Sequence, residues 1–138
     1  MKKSIELNEL YLQICDALSC GDDSFFEHCF SRKDGVIAIG TDPKEWWPGY
    51  NTIIRVFKTQ LKEASGFKIL PDTPQAYCEG SIGWLAGRPT IKLPDGTEIQ
   101  IRLTAVFQKE NNEWKIVQWH FSTGTPNEDL IGDKLTTQ

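Results

Sequence analysis

The last long segment of predicted strand, Glu113 to Thr123, limits the possible folds more than any other part of the chain. Side chains alternate between the two faces of a strand. One face therefore carries Trp114, Ile116, Gln118, His120 and Ser122. The opposite face carries Lys115, Val117, Trp119, Phe121 and Thr123. Both faces are largely apolar, which is typical of a central strand covered on both sides, so we expect this strand inside a sheet.

The order of helical and strand patterns predicts an α+β fold with the helices on one face of an antiparallel sheet. Three segments with helical periodicity come first, and their predicted N-terminal caps are Ser4, Asp22 or Asp23, and Asn51 or Thr52. Gly21 and Gly66 are placed to end the first and third helices. The predicted strands are 36–39, 67–70, 75–79, 81–93, 97–109 and 113–123, with a hairpin turn at Pro94-Asp95-Gly96.

Composition narrows the class of protein. The 138 residues suit one domain, and five tryptophans can supply a core without metals or disulfides. The net charge of −4 argues against a nucleic-acid-binding surface. No run approaches the ~18 apolar residues of a membrane span, and no signal peptide is evident, so we expect a cytoplasmic protein. The cysteines and histidines lack metal-site spacing, and no glycine-rich phosphate loop opens a helix, so no metal or cofactor is expected.

The segment 40–49, Gly-Thr-Asp-Pro-Lys-Glu-Trp-Trp-Pro-Gly, is the most unusual part of the chain. Asp42 precedes Pro43, and Glu45 follows three residues after Asp42, which predicts a capping box and one turn of helix. Trp46 and Trp47 would then point about 100° apart. One of the two can face the core, and the other is available for a pocket mouth or a dimer contact.

A second group of candidate residues is polar and lies in the last strands. His120 and Ser122 share a strand face, and Arg102 and Thr104 join them if the neighbouring strand presents the same face. Convergent polar side chains among aromatic residues are typical of a ligand site. The alternative is a structural network in which these groups satisfy only one another. Both interpretations stay open at this point.

Three motifs carry a resemblance to a known family: segment 40–49, Arg-Leu-Thr at 102–104, and Trp-Lys-Ile-Val-Gln-Trp-His-Phe-Ser at 114–122. Together they resemble the SnoaL-like branch of the nuclear-transport-factor-2-like (cystatin-like) superfamily. The last motif is also similar to the end of the association domain of calcium/calmodulin-dependent kinase II. The resemblance implies a cone-shaped fold over residues 1–125, with three helices packed on a curved sheet, and leaves 126–138 as a polar tail.

The same resemblance implies a homodimer formed through the sheet and a pocket between the sheet and the helices. The expected pocket residues are Trp47, Arg102, Thr104, His120 and Ser122, and the expected ligand is a small organic or anionic molecule. For the dimer contact, one candidate is the strand face that bears Val117, Trp119 and Phe121. The face with His120 would then line the pocket.

Ketosteroid isomerases of this superfamily use an aspartate that precedes a proline as the general base, and Asp42-Pro43 is similar to that pair. Their oxyanion hole also needs a tyrosine and a protonated acid. The corresponding positions hold Ile14 and, near the second, Thr104 or Ala105. Isomerase chemistry is therefore not expected in full.

Three functions remain to be compared. The first is a small-molecule-binding protein of the SnoaL-like type. The second is an isomerase, cyclase or dehydratase in which His120 or Asp42 transfers a proton. The third is a dimerisation or association module. The missing isomerase donors weaken the second, and the absence of a catalytic domain in the same sequence weakens the third.

Overall fold

The computed structural model describes residues 1–137. The helices are α1 (Ile5–Cys20), α2 (Asp23–Cys29), α3 (Tyr50–Glu63) and α4 (Asn127–Ile131). The strands are β1 (Lys2–Lys3), β2 (Ile37–Ile39), β3 (Trp46–Pro48), β4 (Lys68–Leu70), β5 (Gln75–Glu79), β6 (Ile82–Gly87), β7 (Thr90–Lys92), β8 (Glu98–Gln100), β9 (Arg102–Glu110) and β10 (Glu113–Ser122).

Seven strands form one sheet in the order β1-β5-β6-β9-β10-β2-β3. All neighbours are antiparallel except β10 and β2, which are parallel. The last strand, β10, therefore lies inside the sheet, between β9 and β2. A smaller antiparallel sheet contains β4, β7 and β8. The predicted α+β class with a mainly antiparallel sheet is confirmed.

The first helix begins and ends where its sequence indicates. Ser4 Oγ accepts a hydrogen bond from the backbone N–H of Leu7 at 3.1 Å, and Gly21 adopts a left-handed conformation with φ of 70°. Tyr11 and Leu7 are fully buried against the sheet. A β-carbon at Gly87 would lie 2.7 Å from the Tyr11 ring, so glycine permits this close approach of α1 to β6.

Two predicted long strands are each divided in the structure. The segment 81–93 separates into β6 and β7 around Arg88 and Pro89, and the segment 97–109 separates into β8 and β9 at Ile101. Proline has no N–H for a sheet hydrogen bond, and the Pro89 carbonyl instead accepts a hydrogen bond from Ile101 N at 3.0 Å. The same hairpin therefore contributes its two halves to different sheets.

The predicted turn of helix after Asp42 is wrong. Residues 41–44 form a bend and a turn, and Trp46 begins strand β3, which pairs antiparallel with β2. Pairing with β2 gives the backbone groups of this segment partners that one isolated helical turn could not provide. Trp46 and Trp47 consequently point to opposite faces of the sheet. The third helix begins at Tyr50 after Gly49, without a side-chain cap.

Strand β10 contains a bulge that decides which of its residues face the helices. Ile116 pairs with Phe107, but Gln118 pairs with Val106, so Val117 is an extra residue on β10. One extra residue exchanges the two faces of a strand. Ile116 is buried before the bulge at 0% exposure, and Trp119 is buried after it at 2%.

An aromatic cluster fills the core beneath α2 and α3. The ring centroids of Phe57 and Trp119 are 5.6 Å apart, and those of Phe26 and Phe57 are 5.1 Å apart. Phe30 lies 5.2 Å from Phe57 by the same measure. This cluster attaches both helices to β10, so the position of β10 also sets the position of α3.

Two buried thiols and one buried phenol make the stability of the fold depend on pH in the alkaline range. Burial raises the pKa of the Cys15 thiol from 9.0 to about 11 and that of Cys29 to about 12. Burial, followed by a hydrogen bond to Asp72, also raises the pKa of the Tyr11 phenol. Above pH 9 the unfolded chain releases protons that the folded chain retains, so the free energy of unfolding should fall as pH rises.

Urea denaturation from about pH 8 to about pH 10.5 measures this loss of stability. Cys29→Ala should make the loss smaller, because one of the buried thiols is absent. Cys20→Ala, at an exposed cysteine, is the matched control for removing a thiol. Equal slopes for Cys29→Ala and the unchanged protein would contradict the assignment of this pH dependence to the buried groups.

Candidate functional site

A cavity of about 120 Å³ lies between the helix-facing side of the large sheet and helix α3. Apolar side chains make up most of its wall, and they are Leu18, Trp47, Phe57, Leu61, Trp119 and Phe121. The remaining lining residues are Gly40, Thr41, Glu45 and Gln60. A mainly apolar concave surface with a few polar groups is typical of a small-molecule site.

The turn between β2 and β3 holds Glu45 at the cavity. The N–H of Asp42 donates to Glu45 Oε1 at 2.8 Å, and the N–H of Glu45 donates to the Asp42 carbonyl at 2.9 Å. Asp42 Oδ1 in turn accepts from the N–H of Lys44 at 2.8 Å. Backbone and side-chain bonds of the capping-box kind are therefore present, but they stabilise a turn and not a helix.

Gly40 makes room for the Glu45 side chain. A β-carbon at Gly40 would lie 2.6 Å from Glu45 Oε1 and 2.8 Å from Glu45 Cβ, which are distances that packed atoms do not adopt. The N–H of Gly40 also donates to the Glu45 carbonyl at 2.9 Å. Glycine at this position therefore allows the carboxylate to lie over the backbone at the cavity edge.

Helix α3 supplies the partner of this carboxylate. Gln60 Nε2 donates to Glu45 Oε2 at 2.6 Å. Because a carboxylate only accepts hydrogen bonds, the amide nitrogen of Gln60 must face it, which leaves Gln60 Oε1 as an acceptor. The cavity edge thus contains a carboxylate and the side-chain amide that donates a hydrogen bond to it.

The predicted pocket residues are separated by the sheet. Trp47 lines the cavity, as the sequence suggested for one of the two tryptophans. Arg102, Thr104 and His120 are exposed, and they lie on the opposite side of the sheet from the helices. Ser122 is next to Arg102, whose Nε donates to Ser122 Oγ at 3.2 Å.

We call this opposite side the outer face; its side chains include Ile37, Ile39, Trp46, Tyr77, Ile82, Trp84, Arg102, Thr104, Val106, Gln118, His120 and Ser122. The interpretation that Trp119 and Phe121 form a dimer contact while His120 faces the pocket is wrong. Both aromatic side chains line the cavity, because the bulge at Val117 exchanges the faces of β10. A ligand role for the residues near His120 stays a prediction.

Neither candidate catalytic residue lies at the cavity. His120 is on the outer face, beside Thr104 on the neighbouring strand. Asp42 is exposed, and its carboxylate accepts the hydrogen bond from the Lys44 backbone described above. The positions compared with the isomerase donors hold a fully buried Ile14 and a buried Ala105 next to the exposed Thr104.

The sequence did not identify several residues as part of a cavity wall. Phe57 and Leu61 follow the helical period of the apolar residues of α3, and nothing in that period distinguishes a core position from a cavity wall. Gln60 directly precedes Leu61 in the sequence and is exposed. Its residue type and position are therefore those of an ordinary surface residue. Glu45 was recognised only as a capping acid. The pairing of Glu45 with Gln60, fifteen residues apart, has no local sequence signal.

Two wider properties of the chain follow from the geometry. Within residues 1–137, no helix is long and apolar enough to span a membrane. Over the same residues, no three or more His, Cys, Asp or Glu side chains are grouped closely enough to hold a metal ion.

Solved structures with the same fold come from several bacteria. A Pseudomonas putida NTF2-like protein of unknown function matches with a TM-score of 0.77 at 11% identity, covering 99% of this chain and 98% of that one. A provisionally assigned calcium/calmodulin-dependent protein kinase II association domain from Xanthomonas campestris matches with a TM-score of 0.72 at 19% identity, covering 92% and 96%.

A provisionally assigned ketosteroid isomerase from Parabacteroides distasonis matches with a TM-score of 0.68 at 21% identity, covering 91% of this chain and 96% of that one. At these identities the likeness shows the fold alone.

No curated protein sequence matches the chain. The SnoaL-like domain family matches residues 7–126, which is most of the chain. The protein is therefore a member of the SnoaL-like domain family.

Proposed function

We propose that this chain is a small-molecule-binding protein of the SnoaL-like type, with the cavity between sheet and helices as its binding site. The observation that carries this proposal is the composition of the cavity wall. Aromatic and aliphatic side chains surround a space whose edge holds two polar side chains, the Glu45 carboxylate and the Gln60 amide that donates a hydrogen bond to it. Such a combination gives a ligand both apolar burial and a fixed orientation.

A ligand-observed NMR screen of small fragments tests the proposal, with a cavity-filling variant as the comparison. Leu61 lines the cavity, so Leu61→Trp should occupy much of the 120 Å³ and abolish the binding of fragments that the unchanged protein binds. A thermal melt establishes that the variant is folded. Fragments that bind both proteins equally, or a screen without any binder, would contradict the cavity as a binding site.

The enzymatic alternative has less support from the geometry. An isomerase, cyclase or dehydratase needs its proton-transfer group within hydrogen-bond reach of the substrate. His120 lies on the outer face, and Asp42 is engaged in the turn. Binding without turnover is consistent with the position of both residues.

We also propose that two copies associate through the outer face. The helices α1, α2 and α3 all pack on the other side of the sheet, as shown by the contacts of Tyr11, Phe26 and Phe57. The outer face carries large apolar side chains, including Trp46 at 63% exposure and Ile82 at 45%. Apolar patches of this kind mark interaction surfaces.

A continuous row of side chains crosses the outer face and is available to a second copy. One row across the outer face contains, in order, Pro48, Ile37, Gln118, Val106, Trp84 and Tyr77. The Tyr77 and Trp84 rings are stacked, with centroids 5.2 Å apart. The Xanthomonas relative is described as an association domain, which is consistent with assembly through this fold. A twofold contact buries the same patch on both copies.

A further inference from the structure

The cavity has the features of a cation site. Four aromatic rings contribute to its wall: Trp47, Phe57, Trp119 and Phe121. Trp119 is central among them, with its ring centroid 5.6 Å from that of Phe57 and 5.0 Å from that of Phe121. The faces of aromatic rings carry partial negative charge and attract organic cations, and several rings around one cation reinforce this attraction.

The charge of the lining residues also favours a cation. Glu45 is the one ionisable residue among the described lining residues, and lysine, arginine and histidine are absent from this set. One oxygen of its carboxylate accepts from Asp42 N at 2.8 Å and the other from Gln60 Nε2 at 2.6 Å. The Thr41 hydroxyl also donates to this carboxylate at 3.5 Å, and a carboxylate that only accepts hydrogen bonds keeps the negative charge that attracts a cation. Its charge also disfavours an anion.

We propose that the ligand of this cavity is a small organic cation, with a quaternary or alkylated ammonium group held between the aromatic rings and the Glu45 carboxylate. This inference rests on the proposed function, because it names the class of ligand for the same cavity. The expectation of an anionic ligand depended on Arg102, which lies on the outer face and does not line the cavity. An anion would meet no cationic side chain among the described lining residues.

The volume limits the size of this cation. A cavity of about 120 Å³ is smaller than the ~150 Å³ that accommodates benzene in an engineered protein core. This space suits the trimethylammonium group itself, which is close to benzene in size, while a chain attached to it must extend out of the cavity. The Glu45 side of the cavity is formed by exposed residues, since Gln60 and Thr41 are both exposed, so a longer substituent can extend into solvent there.

Three probes of nearly the same shape separate charge from size. Choline is the cation, 3,3-dimethyl-1-butanol replaces its nitrogen with carbon, and 3,3-dimethylbutanoate carries a negative charge. Titrations followed by the indole N–H signals of Trp47 and Trp119 give each dissociation constant. We expect choline to bind at least about tenfold more tightly than the neutral alcohol, and the carboxylate to bind more weakly than both.

The outcomes distinguish this inference from the proposed function. If the neutral alcohol binds as well as choline, or the carboxylate binds best, the cation inference is overturned while the cavity remains a binding site. If none of the three probes binds and the fragment screen finds no ligand, both proposals are overturned. If the fragment screen succeeds only with neutral or anionic molecules, the cation inference alone is overturned.

Variants then locate the contribution of each group. Glu45→Gln removes the negative charge at similar volume and should weaken choline binding about tenfold, because the Coulomb attraction to the cation is lost, with little effect on the neutral alcohol. Exchanging the pair, Glu45→Gln with Gln60→Glu, restores a carboxylate at the cavity edge and should recover part of the lost affinity. An unchanged choline affinity in Glu45→Gln would overturn the role of the carboxylate.

The adjacent tryptophans provide a matched control for the aromatic wall. Trp47→Leu removes a ring from the cavity and should weaken choline binding more than it weakens binding of the neutral alcohol. Trp46→Leu changes the same residue type on the opposite face of β3 and should leave choline binding unchanged. Equal effects of the two substitutions would overturn the assignment of Trp47 to the site.

Discussion

Replacing Trp119 with alanine should lower the free energy of unfolding by about 3–5 kcal/mol, the range for large aromatic residues removed from a core. The side chain is only 2% exposed, and it packs against Phe26, Phe57 and Phe121. Its removal would take away the aromatic contacts that join β10 to α2 and α3. Urea denaturation followed by far-ultraviolet circular dichroism measures the loss.

Trp46→Ala is the matched control for this substitution. Trp46 lies on the outer face at 63% exposure, so its removal should change the free energy of unfolding by less than about 1 kcal/mol. Both variants must be compared in the same state of association, because Trp46 belongs to the proposed dimer surface. Similar losses for the two tryptophans would contradict the burial of Trp119 in the core.

Placing a carboxylate in the middle of the outer face should dissociate the proposed dimer. Val106 lies between Gln118 and Trp84 in the central row of that face. Val106→Asp would bring two like charges into a desolvated twofold contact, where such juxtaposition costs several kcal/mol. We expect the dissociation constant to rise by about 100-fold or more. Sedimentation equilibrium across a range of protein concentrations measures the change.

The control for this variant introduces the same charge elsewhere. Ile99 is 38% exposed on β8 of the smaller sheet, so Ile99→Asp should leave the state of association unchanged. Val106→Asp should also retain the circular dichroism spectrum of the unchanged protein, since its side chain does not enter the core. A protein that sediments as a monomer of 15.7 kDa before any substitution at micromolar concentration would contradict the dimer itself.

Local sequence signals predicted the features of the fold that depend on a few neighbouring residues. The cap at Ser4, the left-handed Gly21 and the turn at Pro94-Asp95-Gly96 are all present. Each depends on the conformational preference of one or two residues, which is the same in the folded chain as in a short peptide. The α+β class follows because the helical and strand periods occupy separate parts of the sequence.

The candidate site was harder to predict, because its location depends on a bulge. Strict alternation placed Ile116 and His120 on one face of β10, whereas the extra residue at Val117 puts Ile116 and Trp119 on the same side. Hydrophobicity did not reveal this exchange, since both candidate faces are apolar. The Glu45 and Gln60 contact was equally hidden, because it is made between a turn and a helix that only the tertiary fold brings together.

The cavity wall has an aromatic part, which belongs to the core, and a polar edge, which lies at the surface. The two parts differ in how well they tolerate substitution. Trp119 and Phe57 also hold the fold together, so changes there risk the whole molecule. Glu45 and Gln60 belong to a surface turn and an exposed helix position, where substitutions are usually tolerated. Mutations at these positions can therefore change the polar edge of the proposed binding site at a smaller loss of stability than mutations in the aromatic core. For the same reason, a library limited to positions 41, 45 and 60 is a practical way to vary the proposed binding site while the fold is kept.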